Sequence, residues 1–184
     1  TTNSWMVGST LYANTKFLIL NATDALDTAA AVWNSTYPTS SVINLGSNVG
    51  SNGSGTNNMI CYAFAEIPGY SSIGGYTGNG STDGPFVYAG FKPAVVMTKR
   101  TNAASDWKMW DNKRGPYNVN GVTLAANTSG AVSTGTAQES DFLSNGFKIR
   151  GSDTETNGSG STYIYMAFAE NPFGGDGAAP ATAR

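Results

Sequence analysis

Histidine is absent from the 184 residues, and cysteine occurs once, at Cys61. Without histidine there can be no Ser-His-Asp or Cys-His nucleophile, and the commonest metal ligand is missing. One cysteine excludes an intrachain disulfide. Cys61 lies in the apolar run Met59–Phe64, where a small buried hydrophobe is expected. Charge is scarce as well. Asp, Glu, Lys and Arg make up 12% of the chain, about half the usual share, and the formal net charge is −2. A chain so weakly charged has no overall attraction for nucleic acid, so no nucleic-acid partner is expected. No apolar run reaches the length of a membrane span, so no membrane insertion is expected either, and no signal peptide is visible.

What fills the chain is neutral. Hydrophobic residues make up 40%, and there are 8 Phe, 4 Trp and 9 Tyr. A disordered chain would be poor in aromatics. Gly, Ser, Thr, Asn and Ala separate the hydrophobic runs, which suits many short strands joined by tight turns. The basic residues cluster: Lys92, Lys99, Arg100, Lys108, Lys113 and Arg114 all fall in one stretch. A solvated strand face is the expected reading, because Lys and Arg are seldom buried. A patch for an anionic partner is the alternative.

The chain repeats itself. Asn52-Gly53-Ser54-Gly55 leads into Met59-Ile60-Cys61-Tyr62-Ala63-Phe64-Ala65-Glu66, and Asn157-Gly158-Ser159-Gly160 leads into Tyr163-Ile164-Tyr165-Met166-Ala167-Phe168-Ala169-Glu170. Upstream, Val42–Ser47 parallels Phe147–Ser152, Leu11–Thr15 parallels Leu124–Thr128, and Ser4–Val7 parallels Asp106–Met109. The five matches keep their order. Two related halves are therefore expected, at 1–68 and 85–173. A Gly/Tyr-rich connecting loop (69–84) would join them, and a Gly/Ala-rich tail (174–184) would follow. Each half is expected to close with a hairpin turning at its Asn-Gly pair. The first would run from Val42–Leu45 to the Met59 run, the second from Phe147–Arg150 to the Tyr163 run. Strands are predicted at Phe86–Tyr88, Ala94–Thr98 and Trp107–Trp110, with Pro93 at a strand start. One short helix is predicted at Thr23–Val32, capped by Thr23. The first half lacks a counterpart of Phe86–Thr98. The start at Thr1-Thr2-Asn3 reads as a piece of something longer. Open strand edges in the incomplete half would invite pairing with another chain.

Longer motifs carry a resemblance. Gly75-Tyr76-Thr77-Gly78-Asn79-Gly80, Gly84-Pro85-Phe86-Val87-Tyr88, Gly90-Phe91-Lys92-Pro93, Asp141–Lys148, Tyr163–Glu170 and the ending Pro180–Arg184 resemble a repeated domain. That domain occurs at the C-terminal ends of long proteins of marine bacteriophages, cyanophages among them. The resemblance implies an all-β antiparallel sandwich similar to jelly-roll or concanavalin-A-like folds. It also implies a tail-fibre, virion or extracellular setting, and that Arg184 ends the protein. It brings no agreed binding residues with it.

Three kinds of site can be weighed. Asp153-Thr154-Glu155-Thr156-Asn157-Gly158 matches the opening of a calcium loop, with Asp153, Glu155 and Asn157 as oxygen ligands. Its twelfth position is Ile164 rather than a bidentate Glu, so a plain turn is favoured and no cofactor is expected. Glu66 and Glu170 are related by the repeat, and two carboxylates can hydrolyse a glycoside. The Glu-x-Asp-x-x-Glu pattern of sandwich-fold glucanases is absent, so no enzyme is expected. Aromatics beside polar turns are the better prospect, because sugar C–H faces stack on rings while hydroxyls bond polar side chains. Tyr70, Tyr76, Asn79, Asp83, Trp110, Arg114 and Tyr117 form that set, and Trp5 and Trp107 are expected in the core. Two functions follow as expectations. The first is recognition of a bacterial surface glycan by a tail-fibre domain. The second is a structural subunit that assembles with copies of itself into a trimer, fibre or filament.

Overall fold

The computed structural model describes residues 3–53 and 58–172. The tail 174–184, the chain end and the Ser54-Gly55 part of the first turn lie outside the described residues.

The fold is all-β and antiparallel. A small sheet comes first, with strands β1 (Met6–Val7), β2 (Lys16–Ile19) and β3 (Asp27–Thr28) in the order β1-β2-β3. Two single-turn helices follow, α1 (Ala30–Trp33) and α2 (Val49–Asn52). The rest of the chain builds a sandwich. Its larger sheet contains β4 (Ser71–Thr77), β6 (Pro93–Arg100), β7 (Trp107–Asp111), β8 (Val122–Ala125), β9 (Ser133–Thr134) and β12 (Thr162–Ala169). They run in the order β4-β12-β6-β7-β8-β9. Opposite lies β10-β11-β5, made of β5 (Phe86–Tyr88), β10 (Ser140–Leu143) and β11 (Gly146–Ile149).

Strand β12 shows why the sandwich forms. Tyr163, Tyr165, Ala167 and Ala169 are buried, and the residues between them are only partly so, which is the period of two that a strand imposes. Tyr165, Ala167 and Ala169 meet Val96 and Trp110 of their own sheet. They also meet Val87, Phe142, Phe147 and Ile149 of the other.

Four expectations need correction. The segment 69–84 is not merely a connecting loop. It contains β4, which pairs with β12 from Thr77↔Thr162 to Ser71↔Phe168. Its glycines serve packing: a Cβ on Gly74 would lie 2.7 Å from the Tyr165 ring. The closing hairpins do not form. β11 and β12 sit in opposite sheets, and the turn between them is α3 (Thr154–Asn157), after which Gly158 has a φ of −57°. In the first half neither Val42–Leu45 nor Met59–Phe64 is a strand. The helix at Thr23–Val32 shrinks to Ala30–Trp33, and among the described residues there are three short helices instead of one. Tertiary pairing overrides the alanine propensity there. Leu26 N–H donates to Thr101 O at 2.9 Å, Ser105 N–H to Thr23 O at 2.8 Å, and Ala29 N–H to Thr15 O at 2.8 Å. Those bonds need extended backbone.

The halves nevertheless share local structure. In each, the backbone N–H of a tryptophan at or just before a strand start donates to an asparagine side-chain oxygen: Trp5 to Asn21 (2.8 Å) and Trp107 to Asn127 (2.9 Å). The true counterpart of Asn127 is thus Asn21, and the Leu11–Thr15 match was out of register. Each half also repeats one turn. Asn48 and Asp153 cap α2 and α3, accepting from Gly50 N–H (2.8 Å) and Glu155 N–H (2.7 Å). Asn52 and Asn157 donate to Gly46 O (2.8 Å) and Gly151 O (2.9 Å). A Cβ on Gly46 or Gly151 would lie 1.9 Å from the carbonyl oxygen of Ala31 or Ala137 respectively. Only glycine fits that approach.

Candidate functional site

The predicted aromatic set does not gather into one binding face. Trp110 is fully buried between the sheets, and its indole N–H donates to Gln138 O at 2.7 Å. It cannot meet a ligand. Its polar neighbours in sequence suggested a surface, but nearly every position of β7 is buried. Tyr76 is half-buried and spent on packing. Its ring stacks on Tyr163 at 4.9 Å and meets Phe147 edge-on at 6.3 Å, and its hydroxyl donates to Thr156 O at 2.7 Å. Burial, reinforced by Tyr163, holds its phenol well above the usual range. Tyr70 is half-buried too, edge-on to Phe168 at 6.0 Å.

Asn79 and Asp83 do share a loop. Asn79 Nδ2 donates to Asp83 O at 2.9 Å, and Asn79 Oδ1 accepts from Ser81 N–H at 3.0 Å. The loop is anchored from below by the buried Asn157, whose Nδ2 donates to Ser81 O at 2.7 Å. The Asp83 side chain reaches outward and pairs with Lys148 at 2.7 Å and Arg150 at 3.7 Å. A hydrogen bond and the charge of Lys148 hold its carboxyl below the usual range. Arg114 sits elsewhere, clamped to Asp111, whose Oδ1 accepts from the Lys113 and Arg114 N–H groups at 2.9 and 2.8 Å. Burial pushes the Asp111 carboxyl up, but these bonds and the guanidinium outweigh it and leave it lowered. Three residues on, Tyr117 is 83% exposed. Of the predicted rings it alone is free enough to stack on a ligand.

Two of the calcium-loop residues converge and the third does not: Asp153 and Glu155 share the Gln138 amide, which donates to them at 3.2 and 2.9 Å. Asp153 caps α3. Glu155 faces Lys108 at 2.8 Å and Gln138 at 2.9 Å. Asn157 faces the Asn79 loop instead. Among the described residues no group of three or more such side chains could hold a metal. Glu66 and Glu170 also have separate partners: Ile73 N–H for Glu66, and Lys92 and Asn112 for Glu170. The basic stretch is solvated only in part: Lys92, Lys113 and Arg114 are exposed. Lys99 is fully buried and Lys108 nearly so. A cavity of about 430 Å³ lies beside β2, lined by Phe17, Ile19, Asp24, Ala25, Leu26 and Asp27, away from every predicted residue.

The largest unexpected feature is apolar. Val42, Ile43, Met59, Ile60, Tyr62 and Phe64 are 41–71% exposed. Their repeat partners in the second half form β11 and β12, and Phe147, Tyr163 and Tyr165 there are at most 6% exposed. Cys61, expected to be buried, is exposed as well. Trp5 is 49% exposed where Trp107 is 3%, and its ring stacks on Tyr62 at 6.3 Å.

No helix of the described residues is long and apolar enough to cross a membrane. The chain belongs to a family described as a domain of unknown function, DUF7483, whose model matches residues 1–172. No curated protein and no solved structure matches the chain.

Proposed function

We propose that this member of the family is a non-enzymatic structural module of a virion appendage such as a phage tail fibre. Its first half would be covered by a neighbouring polypeptide in the assembly. The observation that carries this is the exposed apolar stretch that includes Val42, Met59 and Cys61, whose repeat counterparts Phe147, Tyr163 and Tyr165 are core. Exposed apolar area on this scale marks an interaction surface in a stable protein. Burial of such residues contributes roughly 25 cal/mol per Å². The sparse charge of the chain lets copies approach without strong mutual repulsion.

Light scattering behind size-exclusion chromatography, run over a dilution series, tests the reading. An oligomer that persists at low concentration is expected. A strict monomer that also fails to bind a hydrophobic dye would sink it.

One observation favours a second reading. Tyr117 presents an open ring three residues after Arg114, which is paired with Asp111, and an open ring suits the C–H face of a bacterial surface glycan. Identical chains on one fibre would add avidity to a weak site. A glycan array comparing the protein with Tyr117→Ala tests it. Equal signal from both proteins rejects this site.

A further inference from the structure

Alternation gives the sheet β10-β11-β5 a second face. Val87, Phe142, Phe147 and Ile149 point into the core, so the residues between them point away from it. In register they form two rows across the sheet, Phe86↔Lys148↔Asp141 and Tyr88↔Gly146↔Leu143. Phe86 and Tyr88 are both exposed, two rings two residues apart on one strand. No side chain stands between Tyr88 and Leu143, because a Cβ on Gly146 would lie 2.1 Å from Val87 O.

The charges of this face are spent on one another. Lys148 pairs with Asp83 at 2.7 Å, and Arg150 Nε donates to Asp141 Oδ2 at 2.6 Å. The Asp141 side chain is only 9% exposed, and its Oδ1 is buried with no hydrogen-bond partner. Native proteins seldom leave a buried acceptor idle. The strand that carries it lies two strand spacings, about 10 Å, from the strand that carries the two rings. Along the outer edge of β10, the Asn118 side chain bonds both the N–H and the C=O of Phe142 at 2.9 Å. Its neighbour Tyr117 is thereby held at the rim of the same sheet.

We infer that this outer face binds a neutral oligosaccharide. Phe86 and Tyr88 form the platform on which sugar C–H faces stack, and Lys148, Arg150 and Asp141 bond the hydroxyls. Arg150 turns outward to let one hydroxyl donate to Asp141 Oδ1. The width of the face asks for more than one sugar ring. A neutral ligand fits because both cations already hold carboxylates, so an anionic polymer would have to displace them. A second copy would have to bury both ion pairs, at a desolvation cost that a hydroxylated ligand avoids. This inference rests on the glycan reading and extends its surface from Tyr117 to β5.

Titration calorimetry on the whole chain tests it. The probes are cello-, malto-, laminari- and manno-oligosaccharides from disaccharide to hexasaccharide, with heparin as the anionic control. At least one neutral series is expected to bind, and more tightly beyond the disaccharide. Phe86→Ala and Tyr88→Ala should each weaken that binding about fivefold, the scale of one aromatic contact. Tyr88→Leu keeps apolar bulk without the ring, so it should weaken binding as much even if Tyr88→Ala misfolds. No binding by any neutral series overturns the inference, and so does binding of heparin alone. Binding lost in Tyr117→Ala but intact in the β5 variants also overturns it, while the Tyr117 reading stands. The reverse pattern upholds the face and removes Tyr117. If the β5 variants lower the solution mass and leave binding unchanged, a second copy covers the face and the inference falls.

Discussion

The backbone N–H of Asn79 donates to Oδ1 of the buried Asn157 at 2.9 Å, joining positions 78 residues apart. The Asn157 amide nitrogen bonds Gly151 O and Ser81 O at 2.9 and 2.7 Å and lies 3.2 Å from Asn79 Oδ1. One side chain therefore ties the α3 turn to the loop that follows β4. Asn52 occupies the same place in the other half, but among the described residues its side chain bonds Gly46 O alone.

That difference predicts unequal costs. Asn157→Ala leaves buried carbonyls without donors, and an unsatisfied buried group costs roughly 1–3 kcal/mol. A total loss of about 2–4 kcal/mol is expected by urea denaturation. Asn52 is exposed, so Asn52→Ala should cost no more than about 1 kcal/mol. Equal effects would mean that the Asn79 loop is held by something other than Asn157.

Trp110 and Tyr117 should separate in the opposite sense from what their flanking residues suggest. Trp110 is sealed between the sheets, so Trp110→Ala is expected to cost about 3–5 kcal/mol through the cavity it leaves. Tyr117→Ala, on an open loop, should fall within about 0.5 kcal/mol of the parent. Thermal or denaturant midpoints of the two variants decide this. A mild Trp110→Ala would show that the two sheets can close over the gap.

Calcium offers a third check. The oxygens of Glu155 are occupied by Lys108 and Gln138, and Asn157 faces another loop. Burial lowers the Lys108 pKa, but the Glu155 bond and charge outweigh it and leave it raised, so Lys108 keeps its charge beside Glu155. Adding millimolar calcium, or removing it with a chelator, should leave the melting temperature unchanged. A reproducible rise with calcium would mean that α3 opens to release its carboxylates, and the loop reading would return.

The strands rich in apolar residues were legible because alternation carries its own evidence. β5, β6 and β7 lie where Phe86–Tyr88, Ala94–Thr98 and Trp107–Trp110 predicted them, and Pro93 starts its strand. β4 was hidden because Gly74 and Gly75 look like linker, whereas Gly74 makes room for a tyrosine ring from the paired strand. The site residues were less legible. Whether Tyr76 faces a sugar or Tyr163 depends on a partner 87 residues away, and no local pattern encodes that. The Leu11–Thr15 match failed for a related reason: short runs of Leu, Ala and Asn recur by composition. The equivalence of Asn21 with Asn127 shows only in the bond each makes.

Lys99 gives the last prediction, which concerns pH. Its ammonium is buried and donates to Thr23 O at 2.9 Å and Ser105 O at 2.7 Å, tying the first half to the β6–β7 turn. Among the described residues no carboxylate lies within ion-pair distance of it. Burial draws its pKa down to about 8, against partial opposition from Asp24, Asp106 and Glu155. An unfolded lysine titrates near 10.4. Between those values the unfolded chain holds the extra proton, so stability must rise as pH rises through this window. The cost of burying the charge is fully present below pH 8. From about pH 7.5 to about pH 9.5 the gain is on the order of 1–2 kcal/mol. The raised phenol of Tyr76 opposes this only above its unfolded value of about 10, outside that range. Lys99→Met should flatten the slope in urea titrations at several pH values. If the parent shows no slope, or the variant keeps it, the buried ammonium is not the titrating group.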